Sequence, residues 1–90
     1  MTVRYSPRSL EDLENIRRYI AGDNPNAAWV VASFIRRSIR DLEFMPYQGR
    51  ATEEENVRRL VVTNYPYAVI YHVKNRDVVI LAVMHTRRRR

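Results

Sequence analysis

At 90 residues, 46% of them hydrophobic, the chain is long enough for one packed domain spanning 1–90 and too apolar to be disordered. The absence of cysteine excludes a disulfide framework and a thiolate zinc site. No apolar run is long enough to span a bilayer, and residues 1–5 lack the apolar stretch of a signal peptide, so the expected compartment is the cytoplasm. Sixteen basic residues against 10 acidic give a net charge of +6 and a pI near 10.3, and Lys74 is the only lysine. The surface is therefore rich in guanidinium groups suited to nucleic acid or an acidic protein segment, although a merely soluble basic domain has the same composition.

Thr2 to Tyr5 reads as a short strand. Ser6-Pro7 then starts a helix, with Ser6 as N-cap and Pro7 at the first helical position. Glu11, Asp12 and Glu14 sit towards its positive end, Leu10, Leu13, Ile16 and Ile20 form its apolar stripe, and Gly22-Asp23 ends it. Asn24-Pro25 opens a second helix by the same device. Ala28, Val31, Ala32, Ile35, Ile39 and Leu42 recur at three- and four-residue spacing as a buried face, and Pro46 and Gly49 close the segment. The two helices form a hairpin.

A polar loop over 47–56 separates the helices from three strand-like runs at 57–62, 67–73 and 78–84. The turns between them, 63–66 and 74–77, are short enough to make antiparallel hairpins. The last run is apolar on both faces and reads as the central strand. Helices first and strands afterwards predict an α+β fold: an N-terminal strand and a helical hairpin on a mostly antiparallel sheet of about four strands. With four-residue turns, Val62 pairs with Tyr67 and Val73 with Val78. Strand alternation then puts Arg59, His72, Val83 and His85 on one face and Leu60, Val69, Tyr71, Ile80 and Ala82 on the other. A one-residue slip would exchange the faces of any strand it affects.

No metal site is expected from two histidines and no cysteine, and with only Gly22 and Gly49 there is no phosphate-binding glycine loop. A serine or cysteine nucleophile motif is also absent, and no cofactor is expected.

The chain runs in order through Tyr5-Ser6-Pro7, Asp12-Leu13, Ile16 and Tyr19-Ile20, then Asn24-Pro25, Ala27-Ala28, Pro46 and Gly49-Arg50. It continues through Val57-Arg58-Arg59-Leu60, Tyr65-Pro66-Tyr67, Ile70-Tyr71 and Val83-Met84-His85. This ordered set, over nearly the whole length, resembles the RelE/ParE toxins of type II toxin–antitoxin systems, a family that includes plasmid stabilisation proteins. The resemblance implies growth arrest, and a cognate antitoxin whose acidic, amphipathic tail wraps the toxin. RelE-like members cleave messenger RNA in the ribosomal A site, ParE-like members poison DNA gyrase and are not nucleases, and a degenerate member would only bind its antitoxin.

Metal-independent RNA cleavage uses the 2′-hydroxyl as nucleophile and needs an acid, a base and cations around the phosphorane. Here Arg59 and Arg50 would stabilise charge and His85 would move the proton, with Arg58, Arg87 and Arg88 on the nucleic acid. Such nucleases usually carry an arginine where Ala68 follows Tyr67, and often a late catalytic tyrosine, but none follows Tyr71. The methionine-aspartate of the usual ParE ending is also missing, since Thr86-Arg87-Arg88 follows His85. The terminal arginines either clamp a ligand or form a solvated tail. For the antitoxin, Trp29, Ser33, Arg36 and Arg40 recur at i, i+4, i+7 and i+11 as a second stripe on the second helix. A tryptophan flanked by arginines has the composition of a binding hot spot, unless Trp29 only covers the edge of the core.

Overall fold

The computed structural model describes residues 1–87, so Arg88, Arg89 and Arg90 lie outside the described residues. The elements are β1 (Thr2–Tyr5), α1 (Pro7–Ala21), α2 (Pro25–Asp41), β2 (Arg50–Ala51), β3 (Val57–Val61), β4 (Tyr67–Lys74) and β5 (Asp77–His85). This is the expected α+β class, with five strands rather than about four. The extra strand, β2, lies inside the segment read as a polar loop. The strand order is β1-β5-β4-β3-β2. β1 runs parallel to β5, and every other neighbouring pair is antiparallel. The apolar last strand is therefore interior, paired on both edges, but the middle position belongs to β4.

Both helices start where cap chemistry puts them. Ser6 has extended backbone, and its hydroxyl oxygen accepts from the Ser9 N–H at 3.1 Å while the hydroxyl donates to the Leu81 carbonyl at 3.2 Å. Asn24 Oδ1 accepts from the Ala27 N–H at 3.1 Å. Each cap satisfies an N–H that the helix cannot, worth about 1 kcal/mol. The Ser6 bond to Leu81 also ties the start of α1 to β5.

The core lies between the helices and one face of the sheet. Ile35, Ile39 and Leu42 from α2 are fully buried against Val69, Tyr71, Val78 and Ile80. Burial of each such aliphatic side chain stabilises by about 1.5–3 kcal/mol relative to leaving it exposed. Leu13 joins the core, but Leu10, expected in the buried stripe of α1, is 47% exposed.

The expected pairings of β3 with β4 and of Val73 with Val78 are both present. The register changes further along. Tyr71 lies opposite Ile80, but Ile70 lies opposite Ala82, so Leu81 is the extra residue of a β-bulge. From there the side-chain parity of β5 reverses. Val83, expected beside Arg59, is 4% exposed in the core, opposite Val69. Ala82 moves to the opposite face, alongside Ile70. His85 follows Val83 to the helix-covered face, opposite Tyr67.

Tyr71 holds the chain where it returns from α2 to the sheet. Its buried hydroxyl accepts from the Gly49 N–H and donates to the Pro46 carbonyl, both at 2.8 Å. A Cβ at position 49 would lie 2.7 Å from that hydroxyl, so the close approach requires glycine. Burial pushes the Tyr71 phenol above its ordinary value of 10, against the opposing effects of the Gly49 bond and the Arg58 charge.

Candidate functional site

The helical side carries a groove between α1 and α2. It encloses about 270 Å³, with Leu10, Leu13, Glu14 and Arg17 on one wall and Trp29, Ala32, Ser33 and Arg36 on the other. The Trp29 side of α2 points away from Ile35 and Ile39, as the helical spacing requires. Trp29 is 71% exposed, so it does not serve as a cover for the core. The Arg36 guanidinium sits 5.4 Å from the centre of the Tyr5 ring. Arg36 and Arg40 then line a second hollow of about 280 Å³ with Val3, Tyr5, Ile39 and Glu43. The four residues of the expected stripe thus border two neighbouring hollows that share Arg36. Among the described residues, neither Arg36 nor Arg40 is in an ion pair.

Arg17 on the opposite wall is neutralised. It grips Glu14 through two hydrogen bonds of 2.7 and 3.1 Å, and Arg18 adds a third of 3.2 Å. These bonds hold the Glu14 carboxyl down to about 2. The positive charge offered by the groove therefore comes from the α2 side.

The second surface is the sheet face that no helix covers. The register lays it out in rows. Arg50, Arg59, Ile70 and Ala82 lie side by side across β2, β3, β4 and β5. Met84, Ala68 and Val61 form the row on one side. Arg4, Val79, His72 and Val57 form the row on the other, and Lys74 and Asp77 follow at the hairpin end. Of the residues proposed for RNA chemistry, Arg50 and Arg59 do come together here. His85 does not, being three residues along β5 from the level of Arg59, on the order of 10 Å, and on the other face of the sheet. Arg58 also points away from Arg59. Its guanidinium donates to the Gly49 carbonyl at 2.7 Å and the Tyr47 carbonyl at 3.3 Å, and stacks 5.0 Å from the Tyr47 ring.

His85 sits in a mixed cleft of about 270 Å³ at the end of β5, with Arg8, Asp12 and Asn15 of α1 beside Ile16 and Met84. It meets Tyr67 edge-on at 5.2 Å, and its Nδ1 accepts from the Arg87 N–H at 3.1 Å. Asp12 caps the free edge of β5 by accepting from the Val83 N–H at 2.9 Å, and pairs with Arg8 at 3.6 Å. No group of histidine and acidic residues able to hold a metal ion occurs among the described residues. No helix among them is long and apolar enough to cross a membrane.

The profile of a family described as "ParE toxin of type II toxin-antitoxin system, parDE" matches residues 3–90. The chain belongs to the ParE toxin family. A curated relative from Sinorhizobium fredii, named "Putative toxin Y4kP", is 37% identical over 83 residues, covering 92% of this chain and 85% of the relative. Two solved structures share the ParE-type fold. One, from a chromosomal ParDE system of P. aeruginosa, has a TM-score of 0.84 at 24% identity over 94% of this chain and 95% of its own. The other, from the RelBE2 toxin–antitoxin complex of Mycobacterium tuberculosis, has a TM-score of 0.62, also at 24% identity, over 93% and 88% respectively. In this ParE toxin, reasoning from sequence had missed Leu10, Leu13 and Arg17 as the far wall of the groove. The spacing of Leu10 and Leu13 was visible, but only as core. Asp12 was visible only as an acid near the start of the first helix and in the family pattern, and Asn15 beside it carried no signal.

Proposed function

We propose that this ParE-family toxin arrests bacterial growth by docking on DNA gyrase rather than by cutting messenger RNA, and that a cognate antitoxin silences it from the helical groove. The observation that carries the first part is the bulge at Leu81. RNA cleavage requires the proton-moving group and the charge-stabilising arginines to converge on one phosphate. Here Arg50 and Arg59 face one side of the sheet and His85 the other. Fully buried Ala68 stands where the nucleases of the resemblance carry an arginine. The resemblance to ParE-like gyrase poisons then leaves a toxin that works in the cytoplasm by binding a protein.

Two assays on one preparation test this. Gyrase supercoiling should stop and cleaved DNA complexes should accumulate, while ribosomes programmed with messenger should yield intact RNA. RNA cuts that disappear in Arg59→Ala/His85→Ala would overturn the reading in favour of the nuclease, and activity in neither assay would leave a chain that only binds antitoxin.

The antitoxin reading rests on Trp29. A tryptophan this exposed, over an apolar groove and beside two arginines outside any ion pair, fits an amphipathic helix. Its apolar side would lie on Leu10, Leu13 and Trp29 and its carboxylates on Arg36 and Arg40. Trp29→Ala with Arg36→Glu should weaken the complex by several kcal/mol, about a hundredfold or more in affinity, while growth arrest survives. Undiminished antitoxin binding by the double variant would move the partner elsewhere.

A further inference from the structure

The sheet face without helices is not an ordinary solvated surface. Its interior positions carry aliphatic side chains, with Val61 51% and Met84 39% exposed and Ile70 and Val79 half-buried between their neighbours. Cations surround this patch on three sides: Arg50 and Arg59 towards β2, Arg4 towards β1, and Lys74 at the hairpin end. Among the described residues, the one carboxylate in these rows, Asp77, is held by Arg4 at 3.3 Å, so the net charge of the rim comes from Arg50, Arg59 and Lys74. Five strands about 4.8 Å apart and four rows of side chains give the whole face, charged rim included, an extent on the order of 400 Å². Its exposed apolar centre is smaller, carried by Val61, Met84, Ile70 and Val79 around buried Ala68 and Ala82.

We propose that this face is the surface by which the toxin docks its protein target, and that the target presents there an apolar patch ringed by carboxylates. The proposal rests on the reading that the toxin acts by binding a protein. The composition selects the occupant. Single-stranded nucleic acid is held by aromatic platforms for successive bases, and the described residues of this face include no phenylalanine, tyrosine or tryptophan and a single ring, His72. A second copy of the chain would oppose the same arginines to themselves. A helix lying in the α1–α2 groove is on the far side of the sheet. An aliphatic centre with a charged rim is the anatomy of a protein interface, with the rim steering the encounter and the centre holding the complex. The whole face is about half the area per partner of a standard stable complex, so the rim charges should weigh heavily in the association rate.

The test uses the full chain and four measurements: growth arrest, affinity for purified gyrase, affinity for the cognate antitoxin, and affinity for duplex DNA. Arg59→Glu/Lys74→Glu removes the rim charge. Val61→Asp/Met84→Asp removes the apolar centre at exposed positions. Arg37→Glu reverses a charge on the helices outside the groove lining, and thermal melts confirm that each variant folds. Both face variants should lose growth arrest and bind gyrase at least tenfold more weakly. Antitoxin affinity should stay within about twofold, and the helix variant should behave as the parent. Association of the parent with gyrase should slow as salt rises, and this dependence should flatten in the rim variant. If the parent does not bind gyrase and the folded face variants still lose growth arrest alone, the docking surface stands and gyrase is the wrong target. Unchanged growth arrest in either folded face variant overturns the proposal. So does joint loss of antitoxin binding, which would make this the antitoxin face. Tight parental binding to duplex DNA that the rim variant abolishes would assign the face to nucleic acid and overturn it as well.

Discussion

Removing a single oxygen atom tests how the fold holds the segment after α2. In Tyr71→Phe the ring keeps its place, but the Gly49 N–H loses its acceptor and the Pro46 carbonyl its donor. Tyr71 is 0% exposed and Gly49 is buried, so water has no ready route to replace those bonds. A buried group left unpaired costs about 1–3 kcal/mol. With two groups affected and some relaxation of the Pro46 side, about 2 kcal/mol is expected. For a domain of this size each kcal/mol moves the melting temperature by about 4–8 °C, so Tm should fall by about 10 °C. The same variant isolates a pH effect. The folded-state pKa of Tyr71 lies above its unfolded value near 10, so the native state retains this proton more tightly. That contribution is fully present below pH 10 and is lost as pH rises through the folded value. The stability difference between wild type and Tyr71→Phe should therefore shrink above pH 10. Differential scanning calorimetry at pH 7 and across the alkaline range reads both effects. A Tm within about 2 °C of wild type at pH 7 would refute the view that this hydroxyl anchors the loop.

Other substitutions probe separate features. Arg76 holds φ 70° beside Asn75 at φ 55° in the hairpin between β4 and β5, a left-handed pair that suits Asn-Gly, so Arg76→Gly should raise stability by about 0.5–1 kcal/mol in urea titration. Gly49→Ala should destabilise by at least about 1–3 kcal/mol, because its methyl group would collide with the Tyr71 hydroxyl. Asp12→Ala should cost about 1–2 kcal/mol by orphaning the Val83 N–H and should speed hydrogen exchange at that amide specifically. Removing Arg88, Arg89 and Arg90 should leave growth arrest intact if they form only a solvated tail, and should weaken target binding and flatten its salt dependence if they clamp the target.

The parts of the fold legible in the sequence were those written locally. Ser6-Pro7 and Asn24-Pro25 announce helix starts because cap chemistry operates within three residues. The buried face of α2 was visible because five or six residues repeat at one spacing. β2 was invisible because Arg50-Ala51 is too short to have a period. The bulge was invisible for a different reason. Residues 78–84 are apolar throughout, so an extra residue disturbs no alternation that could be read, and the faces assigned to Val83 and His85 were exchanged without trace. Leu10 fell on the correct stripe of α1, but α2 leaves its end of the helix uncovered, so spacing alone could not separate a core residue from a groove wall. The Tyr71 anchor joins positions 22 residues apart, and nothing in either segment names the other. The Trp29 stripe was readable as a surface because helical geometry places it roughly a quarter-turn from the buried face. The docking role of the open sheet face could be framed only once the register of all five strands was known.

The bulge at Leu81 also bears on how a toxin of this shape could change its chemistry over evolutionary time. Point substitutions alter one side chain and leave its direction alone. A slip of β5 by one residue that smoothed the bulge, with Leu81 taking the place opposite Ile70, would reverse every side chain from 82 to 85 together, carrying His85 across to the side of Arg50 and Arg59 while driving Val83 out of the core. The loss of core packing makes that step costly unless valine and its neighbour exchange identities as well. Strand register, together with the identities of residues 82 and 83, thus decides which chemistry this end of the sheet can support.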